Sequence, residues 1–294
     1  MKQLICLVGA VLLSVPLWGQ DDLLSELEEK QEATPTLVTA TFKGIRLING
    51  HSVETRKKKN LDFLISHRFG TLNSGSYQLF GLDDAMVRFG LEYGITDRLF
   101  IGVGRSSFEK TYDAFVKYRL LWQSTGPNPV PLSVTWFSSV AVRTLREPDV
   151  DLTFSNKLAN THQLLIARKF SSNFSLQIMP TWVHYNLIRS EDRHNDVFAL
   201  GMGGRYKVAK RVAISAEYYW QLQTRNEDTY DALAIGVDIE TGGHVFQLQF
   251  TNATAMIPKG FIGETRNDFF GGDIHFGFNI SRTFQLGGKK EEKW

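Results

Sequence analysis

The feature that most constrains this chain is an alternation of polar and apolar residues that recurs from Leu61 to its C-terminal region. Segments of about ten residues alternate in this way, and turn-forming residues separate them. Because successive side chains of a β-strand point to opposite faces, each segment predicts a strand with one apolar and one polar face. We count twelve segments, beginning near Leu61, Ala85, Arg98, Tyr112, Leu132, Thr161, Phe174, Asp196, Val212, Tyr230, His244 and Phe269.

The apolar faces of the clear segments carry no charge, whereas charged residues such as Glu217 fall on the opposite faces. A Lys or Arg facing lipid at the membrane midplane costs roughly 2–4 kcal/mol, so charge-free faces are typical of strands in a bilayer. Aromatic residues gather at the ends of these faces, as in the girdles of membrane barrels. We therefore predict an all-β fold, a transmembrane antiparallel up-and-down β-barrel of about 12 strands over residues 60–286. The expected lipid-facing residues include Val134, Trp136, Ile214, Trp220, Phe276 and Phe278.

The connections between the predicted strands alternate between short turns and longer polar loops along the chain. Bacterial outer-membrane barrels have short periplasmic turns and long external loops. The pattern therefore predicts short turns on the periplasmic side, with both ends of the barrel there because the strand number is even.

Four further segments complete the predicted organisation. Residues 1–19 have a basic start and a short apolar run, which predicts a secretory signal peptide and export to the bacterial outer membrane. Residues 20–36 form an acidic leader, and residues 287–294 form a charged C-terminal tail. For residues 37–59 the sequence leaves three alternatives, namely an extra strand, a periplasmic hairpin or a lumenal plug.

Composition limits the function classes. The 33 basic and 31 acidic residues are interleaved, which argues against a nucleic-acid-binding surface. The single cysteine, Cys6, lies in the predicted signal peptide, so the mature chain is expected to have no disulfide. No cofactor motif is recognisable, and the expected partners are outer-membrane lipid and small solutes. The oligomeric state stays open.

Six polar residues on the non-lipid faces are predicted to line the lumen. Their mixed charges are typical either of ion-paired filling or of a weakly selective water channel, and a barrel of about twelve strands permits both. These residues are Arg88, Glu92, Lys117, Arg119, Glu217 and Gln249.

Two acidic motifs are the candidates for catalysis. Asp149 and Asp151 lie in a predicted external loop, and Asp273 and His275 are predicted to share one face of the last strand. Residues two apart on a strand do point the same way, and an acid and an imidazole on the outer rim resemble the arrangement in omptin proteases. Such pairs arise often by chance, so polar lining of the lumen is the favoured interpretation and no enzyme is predicted.

Three residues around one predicted external loop have side chains that can bind a metal. They are His184, His194 and Asp196. Because loop histidines at loose spacing are more often solvated, no metal site is predicted.

Three stretches of the chain resemble a β-barrel family of Bacteroidetes-type bacteria, a domain of unknown function. They are FLISHRFG (Phe63–Gly70), LEYGITDRLFIGVGRSSFEKTYDAFVKY (Leu91–Tyr118) and GFNISRTF (Gly277–Phe284). The resemblance covers most of the chain after Val38. It implies an outer-membrane barrel and supplies no functional residues.

Three functional hypotheses follow from these patterns. The first is a passive or gated channel for small solutes, and the second is a structural or surface-binding barrel without transport. The third is an omptin-like hydrolase embedded in the barrel. An open lumen favours the first hypothesis, and a filled lumen favours the second.

Overall fold

A computed structural model describes residues 34–146, 148, 151–187, 194–223, 228–241 and 244–286. The chain forms one closed barrel of twelve antiparallel strands, each paired with its neighbours in sequence, and the last strand pairs with the first. The predicted up-and-down β-barrel is therefore confirmed. The strands are β1 Asn60–Thr71, β2 Ala85–Gly94, β3 Leu99–Ser106, β4 Tyr112–Leu121, β5 Ser133–Val142, β6 Leu158–Lys169, β7 Phe174–Tyr185, β8 Asp196–Ala209, β9 Val212–Gln221, β10 Ala232–Thr241, β11 His244–Thr251 and β12 His275–Gln285.

Most strands begin within three residues of the predicted start, but the last one does not. The segment predicted to begin near Phe269 starts as a strand only at His275. Phe269 and Phe270 instead lie in a loop, where Gly272 adopts a positive φ of 93°. An aromatic pair next to two glycines imitates a strand start in sequence, although the glycines form a turn.

The two faces of the wall separate as the alternation predicts. Along β9, Ile214 and Trp220 point outward and are about half exposed, whereas Glu217 points inward and is buried. Phe276 and Phe278 lie outward on β12, between buried inward residues. The outer surface is thus an apolar belt of the kind that contacts lipid.

The connections define two rims. We call the rim that holds the start of β1 and the end of β12 the terminal rim, and the opposite one the loop rim. Connections at the loop rim are mostly long, up to residues 252–274 between β11 and β12. The predicted alternation of lengths is wrong at two connections, which lie on either side of β4. Residues 107–111 form a short connection at the loop rim, and residues 122–132 form a longer one at the terminal rim.

Residues 41–56 lie inside the barrel as a hairpin, which we call the lumenal hairpin. An antiparallel bridge joins Arg46 to His51, and the backbone N–H of Leu47 donates to the carbonyl of Gly50 at 2.8 Å. Both ends of the hairpin lie at the terminal rim. There Thr36–Leu37 pairs with Ser124–Thr125, and the N–H of Lys59 bonds to the carbonyl of Gly94.

Helices are few and short in the described part of the chain. The one α-helix found there, α1, spans Pro258–Gly263 in the loop between β11 and β12, and all six of its residues are buried. No helix among the described residues is long and apolar enough to cross a membrane. Short 3₁₀ turns occur at Leu72–Ser74, Ser76–Gly81, Phe108–Lys110 and Ser155–Lys157.

Candidate functional site

The tip of the lumenal hairpin is held by one carboxylate of the wall. Glu217 on β9 accepts backbone hydrogen bonds from Asn49 at 2.7 Å, from Ile48 at 3.2 Å and from Gly50 at 3.1 Å. A side chain at Gly50 would meet the hydroxyl of Tyr219, because an added Cβ would lie 2.0 Å from it. The tight Asn49-Gly50 turn therefore brings three N–H groups onto a single buried anion.

Polar side chains of three other strands complete the binding of the tip. Arg68 on β1 donates to the side-chain oxygen of Asn49, and its guanidinium also faces the amide of Gln249. The side-chain nitrogen of Asn49 donates to the hydroxyl of Thr251 at 3.2 Å. Asn279 donates to the carbonyl of Ile48 at 3.0 Å. The wall thus offers a donor or acceptor to nearly every polar group of this turn.

Cationic side chains hold the returning arm of the hairpin. The ammonium of Lys117 on β4 donates to the carbonyls of Ser52 at 2.8 Å and Glu54 at 2.5 Å. Arg119, on the same strand, pairs with the carboxylate of Glu54 at 3.2 Å. Both cations are almost fully buried, so the hairpin supplies the acceptors that they would otherwise lack.

The middle of the hairpin carries a buried ion pair. The guanidinium of Arg46 donates to Glu92 on β2 at 2.7 Å and to Nδ1 of His51 at 2.6 Å. Arg88 on β2 pairs instead with Asp113 on β4, and both of these residues belong to the wall. The six predicted lumen-lining residues therefore lie inward and buried. Five of them contact the hairpin directly or through Arg68, and Arg88 does not.

The lumen also contains a cluster of apolar side chains. Phe115 and Phe137 lie on the inner faces of β4 and β5, and their ring centroids are 4.6 and 4.2 Å from that of His51. Hairpin residues pack into the same cluster, and so does α1. The apolar members from the hairpin are Phe42, Ile45, Leu47 and Val53, and those from the wall include Phe100, Leu165, Met179 and Val183.

The lumen is closed. Above the hairpin, α1 packs its Phe261 ring 5.0 Å from the ring of Tyr219, and Gln221 donates to the carbonyl of Ile262 at 2.9 Å. A cavity of about 10 Å³ is found between the hairpin and residues 256–259, which is about the space of one water molecule. A passive open pore is therefore not the state of this structure.

A larger cavity, which we call the outer cavity, lies above α1 at the loop rim. Its volume is about 540 Å³. Four charged side chains from three connections form a chain of ion pairs along its lining. Glu109 pairs with Arg143 at 2.9 Å and with Lys259 at 3.4 Å, and Lys259 also pairs with Glu264 at 2.8 Å. Burial alone would lower the pKa of Lys259, but Glu264 and Glu109 outweigh it and the pKa is raised.

The candidate catalytic residues do not form one site. Asp149 lies outside the described residues, and Asp151 is exposed. Asp273 precedes β12 rather than lying in it, and it accepts a hydrogen bond from Asn73. His275 is buried, with Nδ1 facing the carbonyl of Phe69 and Nε2 facing Thr254 and Asn267. Both ring nitrogens of His275 are therefore occupied by the protein.

The three residues weighed as metal ligands are divided between two places. His184 and Asp196 form a pair at 2.8 Å on the outer face of β7 and β8, where Trp182 also donates to Asp196. His194 lines the outer cavity. Among the described residues, no group of three His, Cys, Asp or Glu side chains is placed to bind a metal.

Sequence reasoning missed the hairpin's partners and the whole outer cavity. One signal for a filled lumen was present. Phe100, Phe115 and Phe137 occupy the inward positions of adjacent strands, so both faces of this part of the wall are apolar. A water-filled lumen would leave these rings exposed to solvent, so their inward positions indicate a segment that covers them in the closed state.

The fold and its plugged lumen can now be compared with known proteins. Residues 42–284 match the model of the family DUF5777, described as a membrane bound beta barrel domain. The chain belongs to this family. The predicted resemblance to a β-barrel family of unknown function is confirmed, and the chain is a membrane-bound β-barrel. The match begins at Phe42, so the lumenal hairpin is part of the family's domain.

Several solved structures are similar to the chain in fold. The NanC porin is 10% identical with a TM-score of 0.47, and the match covers 77% of this chain and 100% of that one. The KdgM porin is 9% identical with a TM-score of 0.46, over 76% and 99% of the two chains. An outer membrane channel from Pseudomonas putida F1 is 15% identical with a TM-score of 0.45, over 78% and 97%. No curated protein matches the chain in sequence.

Proposed function

We propose that this protein is a gated outer-membrane channel for small solutes, and that the lumenal hairpin is its gate. One observation carries the proposal, namely that charged and polar wall groups hold the hairpin. Glu217, Lys117 and Arg119 all bind it. Replacing buried ion pairs by apolar residues of similar volume is often neutral or stabilising, so a permanent filler has no need of them. Water can solvate the same groups once the hairpin leaves.

The topology permits the hairpin to leave. Both of its ends lie at the terminal rim, and none of its residues belongs to a barrel strand. Withdrawal towards that rim breaks hydrogen bonds of the hairpin but none of the twelve-stranded ladder. Because long loops of outer-membrane barrels are external, the terminal rim is expected to face the periplasm.

The emptied lumen would have a wall of mixed character. Aromatic and aliphatic side chains such as Phe100, Phe115 and Phe137 lie beside charged ones such as Lys117 and Arg119. A barrel of twelve strands lies between the filled eight-stranded and the open sixteen-stranded cases. We therefore expect a narrow path that suits small solutes with both polar and apolar groups.

Export is part of the proposal. Cleavage of the signal peptide near Gly19 would release a mature chain into the periplasm, from which the barrel inserts into the outer membrane. Residues 1–33, and with them the cleavage site, lie outside the described residues. The apolar belt of the barrel would contact outer-membrane lipid.

The competing function is a surface-binding barrel without transport. It is favoured by the outer cavity, since a cavity of about 540 Å³ lies on the loop side of a closed lumen. The hydrolase hypothesis is weaker, because both nitrogens of His275 already have protein partners. We expect no hydrolysis of ester or peptide substrates.

Single-channel conductance in a planar bilayer separates channel from non-channel. We expect the intact mature chain to stay closed most of the time, with rare openings. A chain whose mature part starts at Lys57, and so lacks the hairpin, should be open for a much larger fraction of the time, because α1 is then the only described segment that still packs in the lumen. If the shortened barrel assembles, as judged by heat-modifiable migration in gels, and does not conduct, the channel proposal fails.

A further inference from the structure

The outer cavity has the size and the charge of a ligand site. Small-molecule sites usually measure about 300–1,000 Å³, and this cavity falls within that range. The described residues of its lining include four cationic side chains and two carboxylates, which together carry a formal charge of +2. The cations are Arg143, Lys157, Lys259 and Arg266, and the carboxylates are Glu109 and Glu264.

Two of the four cations are not neutralised by the lining. Lys259 is shared between Glu109 and Glu264, and Arg143 pairs with Glu109. Lys157 makes no ion pair within the described part of the chain, and it is only partly exposed. Arg266 meets Asp228 at 3.8 Å, but both side chains are more than half exposed, so this pair contributes little.

The carboxylate of Glu109 is fixed by an unfavourable backbone. Glu109 has a φ of 51°, in the left-handed region that is unfavourable for a residue other than glycine. That conformation directs its carboxylate between Arg143 and Lys259 and joins three connections of the loop rim. This turn, in which Lys110 has the same φ, thus places a carboxylate between two cations of the lining.

From these observations we infer that the outer cavity binds a small organic anion, one that carries a carboxylate or phosphate on a body of about monosaccharide size. Lys157 and Arg266 supply the uncompensated charge, and Arg143 is held in place by Glu109. The cavity lies directly on α1, which packs against the wall above the hairpin. A bound anion would therefore lie on the loop-rim side of α1 and of the hairpin. The inference rests on the proposed channel in so far as it names the solute class that the channel would admit.

Three sugars of one ring size test the inference on the intact protein in detergent. Glucuronate and glucose 6-phosphate carry an anionic group, and glucose does not. By isothermal titration calorimetry we expect saturable binding of the anions with a dissociation constant of about 1 mM or tighter, and binding of glucose at least about tenfold weaker. Binding of one anion alone would support the site and identify the group that it selects.

Two charge substitutions with opposite expected effects exclude an indirect cause. Lys157→Gln should weaken anion binding by about tenfold, since it removes a charge-assisted hydrogen bond. Glu264→Gln should strengthen it by about threefold, because Lys259 then loses a competing carboxylate while Glu109 still holds Arg143. Lys210→Gln, an exposed turn residue at the terminal rim, is the matched control and should change nothing. General loss of folding would weaken binding in both cavity variants.

Equal affinity for glucose and for both anions would overturn the inference. It would also be overturned if neither of the two anions bound saturably. The titration uses the closed protein and needs no open pore. If conductance fails while the anions bind, the gated channel is wrong and the binding site stands. If the protein conducts while no anion binds, the gated channel stands and the anion-binding site is wrong.

Discussion

Ile178→Arg is expected to destabilise the assembled barrel by roughly 2–4 kcal/mol, the usual cost of a charge facing lipid near the membrane midplane. Ile178 points outward on β7 and is 45% exposed. It lies midway between Phe174 and Trp182, the outward aromatics near the two ends of this strand. Equilibrium unfolding in urea, with the protein in lipid vesicles, measures the effect.

Val208→Arg is the matched control. Val208 is also outward and about half exposed, but it lies at the terminal-rim end of β8. A charge near the interface costs only about 0–1 kcal/mol, so this variant should be nearly as stable as the unaltered protein. Equal destabilisation at the two positions would mean that the apolar belt does not lie in a bilayer.

Glu217→Gln is expected to raise the open fraction of the channel by about 30-fold. The amide keeps the size of the side chain but loses the negative charge that accepts from Ile48, Asn49 and Gly50. Charge-assisted hydrogen bonds of this kind contribute about 1.5–3 kcal/mol, and a loss of about 2 kcal/mol shifts a two-state equilibrium by that factor. Single-channel recordings give the open fraction directly.

Asp238→Asn provides a control of the same chemistry. Asp238 is a buried inward carboxylate whose partners Ser215, Gln247 and Arg205 all belong to the wall. Gln247 also donates to the carbonyl of Leu47 in the hairpin, and an amide oxygen at position 238 can still accept from Gln247. The conversion of Asp238 to an amide should therefore leave the open fraction close to that of the unaltered protein. If both variants raise the open fraction equally, the cause is a general loosening of the barrel. The loss of the bonds between Glu217 and the hairpin would then not explain the opening.

The strands were predictable because their pattern is local. A period of two residues over ten positions fixes both the strand and its outward face, as Ile214 and Glu217 on β9 illustrate. The six-residue error at the last strand has a local cause as well. Phe269 and Phe270 continue the aromatic spacing of a strand, although the turn at Gly272 ends it.

The contents of the lumen were not predictable in the same way. The side chains of Asn49 and Thr251 bond across 202 positions of sequence, and Glu217 reaches the hairpin across 168. No short-range pattern encodes such contacts. The inward charges were visible in the sequence. Whether they are solvated by water or paired with other side chains or with a hairpin depends on packing.

Thiol accessibility at Ser52 tests whether the lumenal hairpin itself leaves the lumen when the channel opens. Ser52 is fully buried in the closed state, and its hydroxyl donates to the carbonyl of Gly44. In a Ser52→Cys protein, a charged thiol reagent that cannot cross membranes should react slowly. Adding Glu217→Gln should accelerate the reaction by about the same 30-fold as the open fraction. A cysteine at Ser172, an exposed turn residue, should react fast in both backgrounds. An increase in conductance without faster labelling of Ser52→Cys would contradict the account, because the solute path would then open with the hairpin still in place.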